Sequence, residues 1–124
     1  MDTNERDKIF EKAAEVGRFV SQTAEYMYLK AAHREIGDDR DATEMLNRMR
    51  GLQEQLLGFV DRGEEPPEDL RDQLSELSQE VQQSSKYQGL IAAQANFDKL
   101  MDRVHQSIGR GIKKGEESRI ILPT

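Results

Sequence analysis

The feature that most constrains this chain is a row of apolar residues at alternating steps of three and four. Ala42, Met45, Met49, Leu52, Leu56 and Phe59 form it without interruption. Such spacing keeps one stripe of an α-helix apolar and is the pattern of a coiled-coil seam, so a helix is predicted to last through about Asp61. Gly63, Glu64, Glu65, Pro66 and Pro67 follow. Glycine accepts positive φ and Pro67 suits a first helical position, so a turn is predicted there. Leu70, Leu74, Leu77 and Val81 then resume the period up to about Ser84, with Glu68 and Asp69 favourably placed at the new N-terminus. Two seams joined by a short turn predict an antiparallel helical hairpin.

Helical spacing also extends on both sides. From Asn4 to Val20, Ile9, Ala13, Val16 and Val20 form one stripe, which Phe10 and Phe19 widen. Thr23, before Ala24, Glu25 and Tyr26, predicts a restart, and the second helix carries Met27, Leu29, Ala31, Ala32 and Ile36 before Gly37, a candidate left-handed cap. Asp41 and Glu44 have the spacing of a capping box for the third helix. Ser84 or Ser85 opens the last helix, whose seam is Tyr87, Leu90, Gln94, Phe97, Met101, Val104 and Ile108. A helix over 85–113 would measure about 43 Å at 1.5 Å per residue, longer than a compact globule of this size accommodates. The expected fold is therefore all-α: an elongated antiparallel bundle of about five helices, with a coiled-coil-like hairpin and a long C-terminal helix. Residues 1–115 form a single helical domain, and 116–124 a short tail ending in Ile120, Ile121 and Leu122.

The chain has 124 residues, 34% of them charged and 6% aromatic, which suits thin helical packing better than a thick core. Apolar stripes on several helices of an elongated bundle need cover, which predicts self-association as a homodimer or higher oligomer. A net charge of −6 argues against nucleic acid as the main partner. Cysteine is absent, which removes disulfides, thiolate nucleophiles and Cys-ligated metal clusters and fits a reducing compartment. No apolar run approaches the roughly 20 residues of a membrane span, which points to a soluble, cytoplasmic chain.

Candidate chemistry is sparse. His33 and His105 fall on different helices with no ligand-spaced His or Cys nearby, so no metal site is expected. Asp38 and Asp39 after His33 read as helix-end solvation. Neither His follows a Glu by three residues, which excludes the di-iron bundle motif. Carboxylate pairs such as Glu76 and Glu80 are expected by abundance alone. There is no Gly-rich phosphate loop and no Gly-x-Ser-x-Gly turn. Gly109 and Gly111 are expected to loosen the end of the last helix. Arg110, Lys113, Lys114 and Arg119 form one basic patch, read first as complementing the helix dipole. Gln94 on an apolar seam is read as a register-setting amide. No catalytic residue and no cofactor is expected.

Ser21-Gln-Thr-Ala-Glu-Tyr-Met-Tyr-Leu-Lys-Ala-Ala, then Asp39-Arg-Asp-Ala-Thr-Glu-Met-Leu, resembles the opening of the YlbF/YmcA family of bacterial regulators. The likeness continues through Gln53 to Gln55, Arg62-Gly63-Glu64, Lys86-Tyr87 and Ala93-Gln94-Ala95-Asn96-Phe97, so it spans about Ile9 to Ile112. It rests on helix seams and caps, specific in order and spacing and weak at any one position. The resemblance implies an all-helical, self-associating protein of the bacterial cytoplasm. It also implies membership of a complex that influences competence, sporulation and biofilm formation, in part through the endoribonuclease RNase Y and mRNA processing. Iron-sulfur clusters held through Cys in some members do not carry over to a chain without Cys, and the Ile-Ile-Leu-Pro tail lies outside the family pattern.

The function expected is that of a non-enzymatic regulatory adaptor that binds itself and a regulatory protein partner. Tyr26, Tyr28, Ile120, Ile121 and Leu122 are the candidate contact residues. The alternative is an RNA-associated accessory protein using Arg110, Lys113, Lys114 and Arg119.

Overall fold

A computed structural model describes residues 2–121, with side chains for 4–118. Five helices are present and no strand occurs among the described residues: α1 (Asp2–Val20), α2 (Ala24–Asp38), α3 (Arg40–Asp61), α4 (Glu68–Gln83) and α5 (Ser85–Ile121). The all-helical reading and the five predicted elements match this order. They gather into two compact units, one drawn from Met1–Met27 and Ala93–Thr124, the other from Tyr28–Ala92.

The Tyr28–Ala92 unit is built on the hairpin. α3 and α4 are strongly amphipathic and pack on each other. Its buried side chains are Leu29, Ile36, Ala42, Leu70, Leu77 and Val81. α3 ends in a Schellman cap: Gly63 has φ +69°, the Glu64 amide donates to the Phe59 carbonyl at 2.9 Å and the Gly63 amide to Val60 at 3.0 Å. That satisfies two carbonyls the helix would otherwise leave open. The Arg62 guanidinium lies over the Phe59 ring, 4.8 Å from its centroid. Pro67 stands just before α4 in an extended conformation (φ −60°, ψ 146°), one residue earlier than predicted.

Three boundaries depart from expectation. Gly63 is the one glycine at positive φ among the described residues, so Gly37 is an ordinary helical residue and α2 runs on to Asp38. The cap of α3 is Asp39, whose Oδ1 accepts the Ala42 amide at 3.0 Å, rather than Asp41. Ending α2 one residue later leaves Asp39 as the extended residue whose carboxylate can reach the first amides of α3. The Thr43 hydroxyl secures the same corner by donating to the Ile36 carbonyl at 2.9 Å. Finally, α5 passes through Gly109, Gly111 and Gly115 to Ile121. A helical glycine costs only about 1 kcal/mol relative to alanine, and the Lys, Glu and Arg residues around these three are good helix formers.

The second unit joins α1, the first turn of α2 and α5 from Ala93 onward. Thr23 restarts the chain as predicted: its Oγ1 accepts the Tyr26 amide at 3.2 Å while its hydroxyl donates to the Val20 carbonyl at 2.7 Å. Ala93 is the buried side chain of this unit among the described residues. Tyr26 and Phe97 pair beside it, with ring centroids 5.9 Å apart and tilted by 54°.

Candidate protein-interaction surface

With so few side chains buried, the informative residues are large apolar ones left in solvent. In the unit containing α1 these are Ile9, Phe10, Val16 and Phe19 on α1, Met27 on α2, and Ile108 and Ile112 on α5. Val16 faces Leu100, Arg103, Val104, Ser107 and Ile108 across a shallow groove between the two helices. The stripe that the sequence showed on α1 is thus only partly covered by its neighbour, because one helix can screen one side of a stripe that Phe10 and Phe19 have widened. In the hairpin unit, Tyr28, Leu57, Val60 and Ile91 are exposed. Leu57 and Val60, three residues apart on α3, stand on one side of that helix.

The predicted contact residues separate. Tyr28 is 70% exposed and keeps its role as a candidate. Tyr26 is half-buried against Phe97, so it is a packing residue and was wrongly expected to be exposed. Ile120, Ile121 and Leu122 lie outside the residues whose side chains are described, as does Arg119. On the predicted α5 seam, Tyr87, Leu90, Phe97, Met101 and Val104 are half-buried and Ile108 is exposed. Gln94 leaves the seam: it is exposed and donates to Asp98 Oδ1 at 2.9 Å, while Ala93 takes the buried place. A single-residue shift results because α5, at 3.6 residues per turn, drifts off a strict seven-residue repeat.

The basic patch changes character with the longer helix. Arg110, Lys113 and Lys114 are exposed, but α5 continues for two turns beyond Lys113 and so they are not in its last turn. Glu116 and Glu117 now stand three or four positions from Lys113 and Lys114, where opposite charges are neighbours. His33 and His105 are exposed. Among the described residues no three His, Cys, Asp or Glu gather where a metal ion could be held, and no helix is long and apolar enough to cross a membrane. A second groove, bounded by Leu46, Met49, Gln53, Val81, Tyr87 and Ile91, lies within the hairpin unit and carries no ionisable carboxylate or imidazole.

One polar contact was not foreseen from the sequence. Lys86 Nζ bonds Asp39 Oδ2 at 2.8 Å, tying the start of α5 to the α2–α3 corner. The Lys86 hydrogen bond, helped by the Ala42 amide, holds the Asp39 carboxyl below its ordinary value, and the same bond raises the Lys86 ammonium above its own. A lowered Asp stabilises the fold above its unfolded pKa, and a raised Lys does so below its unfolded pKa. The pair therefore contributes fully between about pH 4 and pH 10 and is lost beyond either end. Relative to wild type, Asp39→Asn should lower the urea midpoint at neutral pH, with the difference closing as pH falls through the Asp39 titration. A difference that persists undiminished at about pH 2 contradicts the ion pair.

Comparison with known proteins agrees with this architecture. The crystal structure of Bacillus subtilis RicA in complex with RicF superposes with a TM-score of 0.74 at 15% identity, covering 87% of this chain and 96% of that one. A protein of unknown function (DUF964) from Bacillus stearothermophilus gives 0.65 at 20% identity, covering 86% and 94%. In sequence, a UPF0342 protein of Limosilactobacillus fermentum is 26% identical over 100 residues, which is 81% of this chain and 83% of that protein. The family model described as control of competence regulator ComK, YlbF/YmcA, matches residues 9–113, and the chain belongs to that family.

Proposed function

We propose that this chain is a non-enzymatic regulatory adaptor of the bacterial cytoplasm that acts by binding other proteins through apolar helix faces. The observation that carries the reading is Tyr28, Leu57 and Val60 standing 59–70% exposed, with Ile91 at 45%, on a unit that buries Leu29, Ile36, Leu70, Leu77 and Val81. Large apolar side chains held in water on rigid helices favour a partner surface, since their burial is worth about 1.5–3 kcal/mol each. Two things support it: the family is described by its control of a competence regulator, and RicA, which shares the fold, occurs in complex with RicF. The finer reading is that the partner belongs to a complex controlling an endoribonuclease of the RNase Y type, with mRNA processing as the output.

Affinity capture from the native cell with quantitative mass spectrometry tests this. Wild type should enrich a defined regulatory protein, and Leu57→Glu combined with Val60→Glu should reduce that enrichment at least about tenfold. Recovery of nothing beyond an unrelated-bait control sinks the adaptor reading. The RNA-associated alternative requires direct binding that weakens steeply with salt, and Glu116 and Glu117 beside Lys113 and Lys114 argue against it.

A further inference from the structure

We propose that the groove between α3 and the start of α5 seats the apolar face of an amphipathic helix from a partner protein, with the basic end of that helix over the acidic tip of the α3–α4 hairpin. The inference rests on the protein-binding reading above and specifies what the partner presents to Leu57 and Val60.

The groove is apolar and open at one end. Leu46, Met49 and Gln53 on α3 face Val81 of α4 and Tyr87 and Ile91 of α5 across a volume of about 570 Å³, many times the roughly 30 Å³ of a water. Its lining holds no charged side chain, which suits an apolar helix face better than an ionic small molecule. Along α3 the same side then continues beyond the groove. From Leu46 the steps to Met49, Gln53, Leu57 and Val60 are three, four, four and three, so all five share one stripe. α3 thus carries two stripes: the one that ends in Leu56 and Phe59 is half-buried, while its neighbour leaves Leu57 and Val60 in solvent. From Leu46 to Val60 the open stripe runs about 21 Å at 1.5 Å per residue, the length of a helix of roughly 15 residues. Partner helices enter such grooves through apolar anchors at steps of three and four.

Charge decides the kind of helix. Asp61, Glu64, Glu65, Glu68, Asp69 and Asp72 stand at the hairpin tip with Arg62 and Arg71, so residues 61–72 carry −4 of the chain's −6. Both cations are already engaged: Arg62 bonds Glu64 at 3.3 Å and Arg71 reaches Glu65 at 3.6 Å. Asp61, Glu68, Asp69 and Asp72 are exposed and form no ion pair among the described residues. Helix stability accounts for Glu68 and Asp69, which sit at the positive end of α4. It does not account for Asp61, a carboxylate in the last turn of α3, where no basic residue stands and the dipole disfavours an anion. Lysines or arginines of a bound helix would offset that charge. Arg50, one turn from Leu46 on α3, gives the other end of the stripe the opposite sign and so fixes which end of the helix is basic.

A peptide of roughly 15 residues tests this: an alanine-based helix with leucines at steps of three and four and lysines at one end. Followed by fluorescence anisotropy, it should bind at least about tenfold more tightly than the same peptide with glutamates for the lysines, and the preference should shrink as salt rises. Leu57→Glu combined with Ile91→Glu, both at exposed positions, should leave far-UV helicity intact and weaken binding at least about tenfold. Asp61→Lys with Asp72→Lys should reverse the preference, so that the glutamate peptide binds better. Carbodiimide coupling should join the peptide's lysines to carboxylates within 61–72 rather than across all 24 acidic residues of the chain. Equal affinity for the two peptides, indifference to the Leu57 and Ile91 changes, or coupling spread along the chain overturns the proposal. So does a fall in sedimentation mass on those two changes, which would assign the groove to a second copy. A peptide that fails to bind while a regulatory protein is still captured from the cell removes this inference and leaves the adaptor reading, whereas peptide binding with nothing captured does the reverse.

Discussion

Leu77→Ala should destabilise the protein by about 3 kcal/mol and lower its melting temperature by on the order of 10 °C. Leu77 is 2% exposed, the most deeply buried of the core side chains in the described residues. Removing three carbons there costs their transfer free energy and the contacts of the walls around the void, and α3 and α4 are too rigid to close it fully. Leu57→Ala removes the same atoms from a side chain 61% exposed on the same hairpin, and should change stability by less than about 0.5 kcal/mol. Thermal and urea melts of the pair decide it. Similar losses at both positions would mean that α3 presents a different face to α4.

Phe97→Ala should cost about 2 kcal/mol, less than a fully buried Phe because the ring is only half-buried. Part of that loss belongs to Tyr26. With the two rings 5.9 Å apart and tilted, a double-mutant cycle should return about 0.5–1.5 kcal/mol of coupling. Tyr26→Ala alone should accordingly lower stability, while Tyr28→Ala should leave stability nearly unchanged and weaken partner capture. Additive losses at Tyr26 and Phe97, with no coupling beyond error, would show that the rings do not meet in solution.

These two tyrosines show where sequence reading stops. Both stand in one helix, two residues apart, and nothing local distinguishes an exposed phenol from a packed one. Tyr26 is covered because Phe97, far along the chain, returns to it. Gln94 gives a similar lesson: the three-four count put it on the seam, while the helix itself turns Ala93 inward and leaves the amide to Asp98. The α1 stripe, in contrast, was legible in full, Phe10 and Phe19 included. What its sequence did not reveal was that Val16 faces a groove on α5 and Val20 is half-buried, while Ile9, Phe10 and Phe19 stay in solvent.

Helix ends divided along the same line. Thr23 and Gly63 act where the sequence put them, and of the two serines it offered for the start of α5 Ser84 is the cap, since each works through its own hydroxyl or its own freedom at positive φ. Ser84 Oγ accepts the Tyr87 amide at 3.3 Å, and the bond closes within one turn. Asp39 could not be chosen over Asp41 on such grounds, since both are acidic and both precede a helical pattern. Lys86 arrives from 47 positions away to bond the one that caps.

The sequence alone determined that this chain is helical and about how many helices it has, because a 3.6-residue period is a property of neighbours along the chain. Tertiary structure alone decided which stripes are covered, which carboxylate caps α3 and which tyrosine remains free. Burial depends on what the rest of the chain brings to a given face, and no local pattern encodes that.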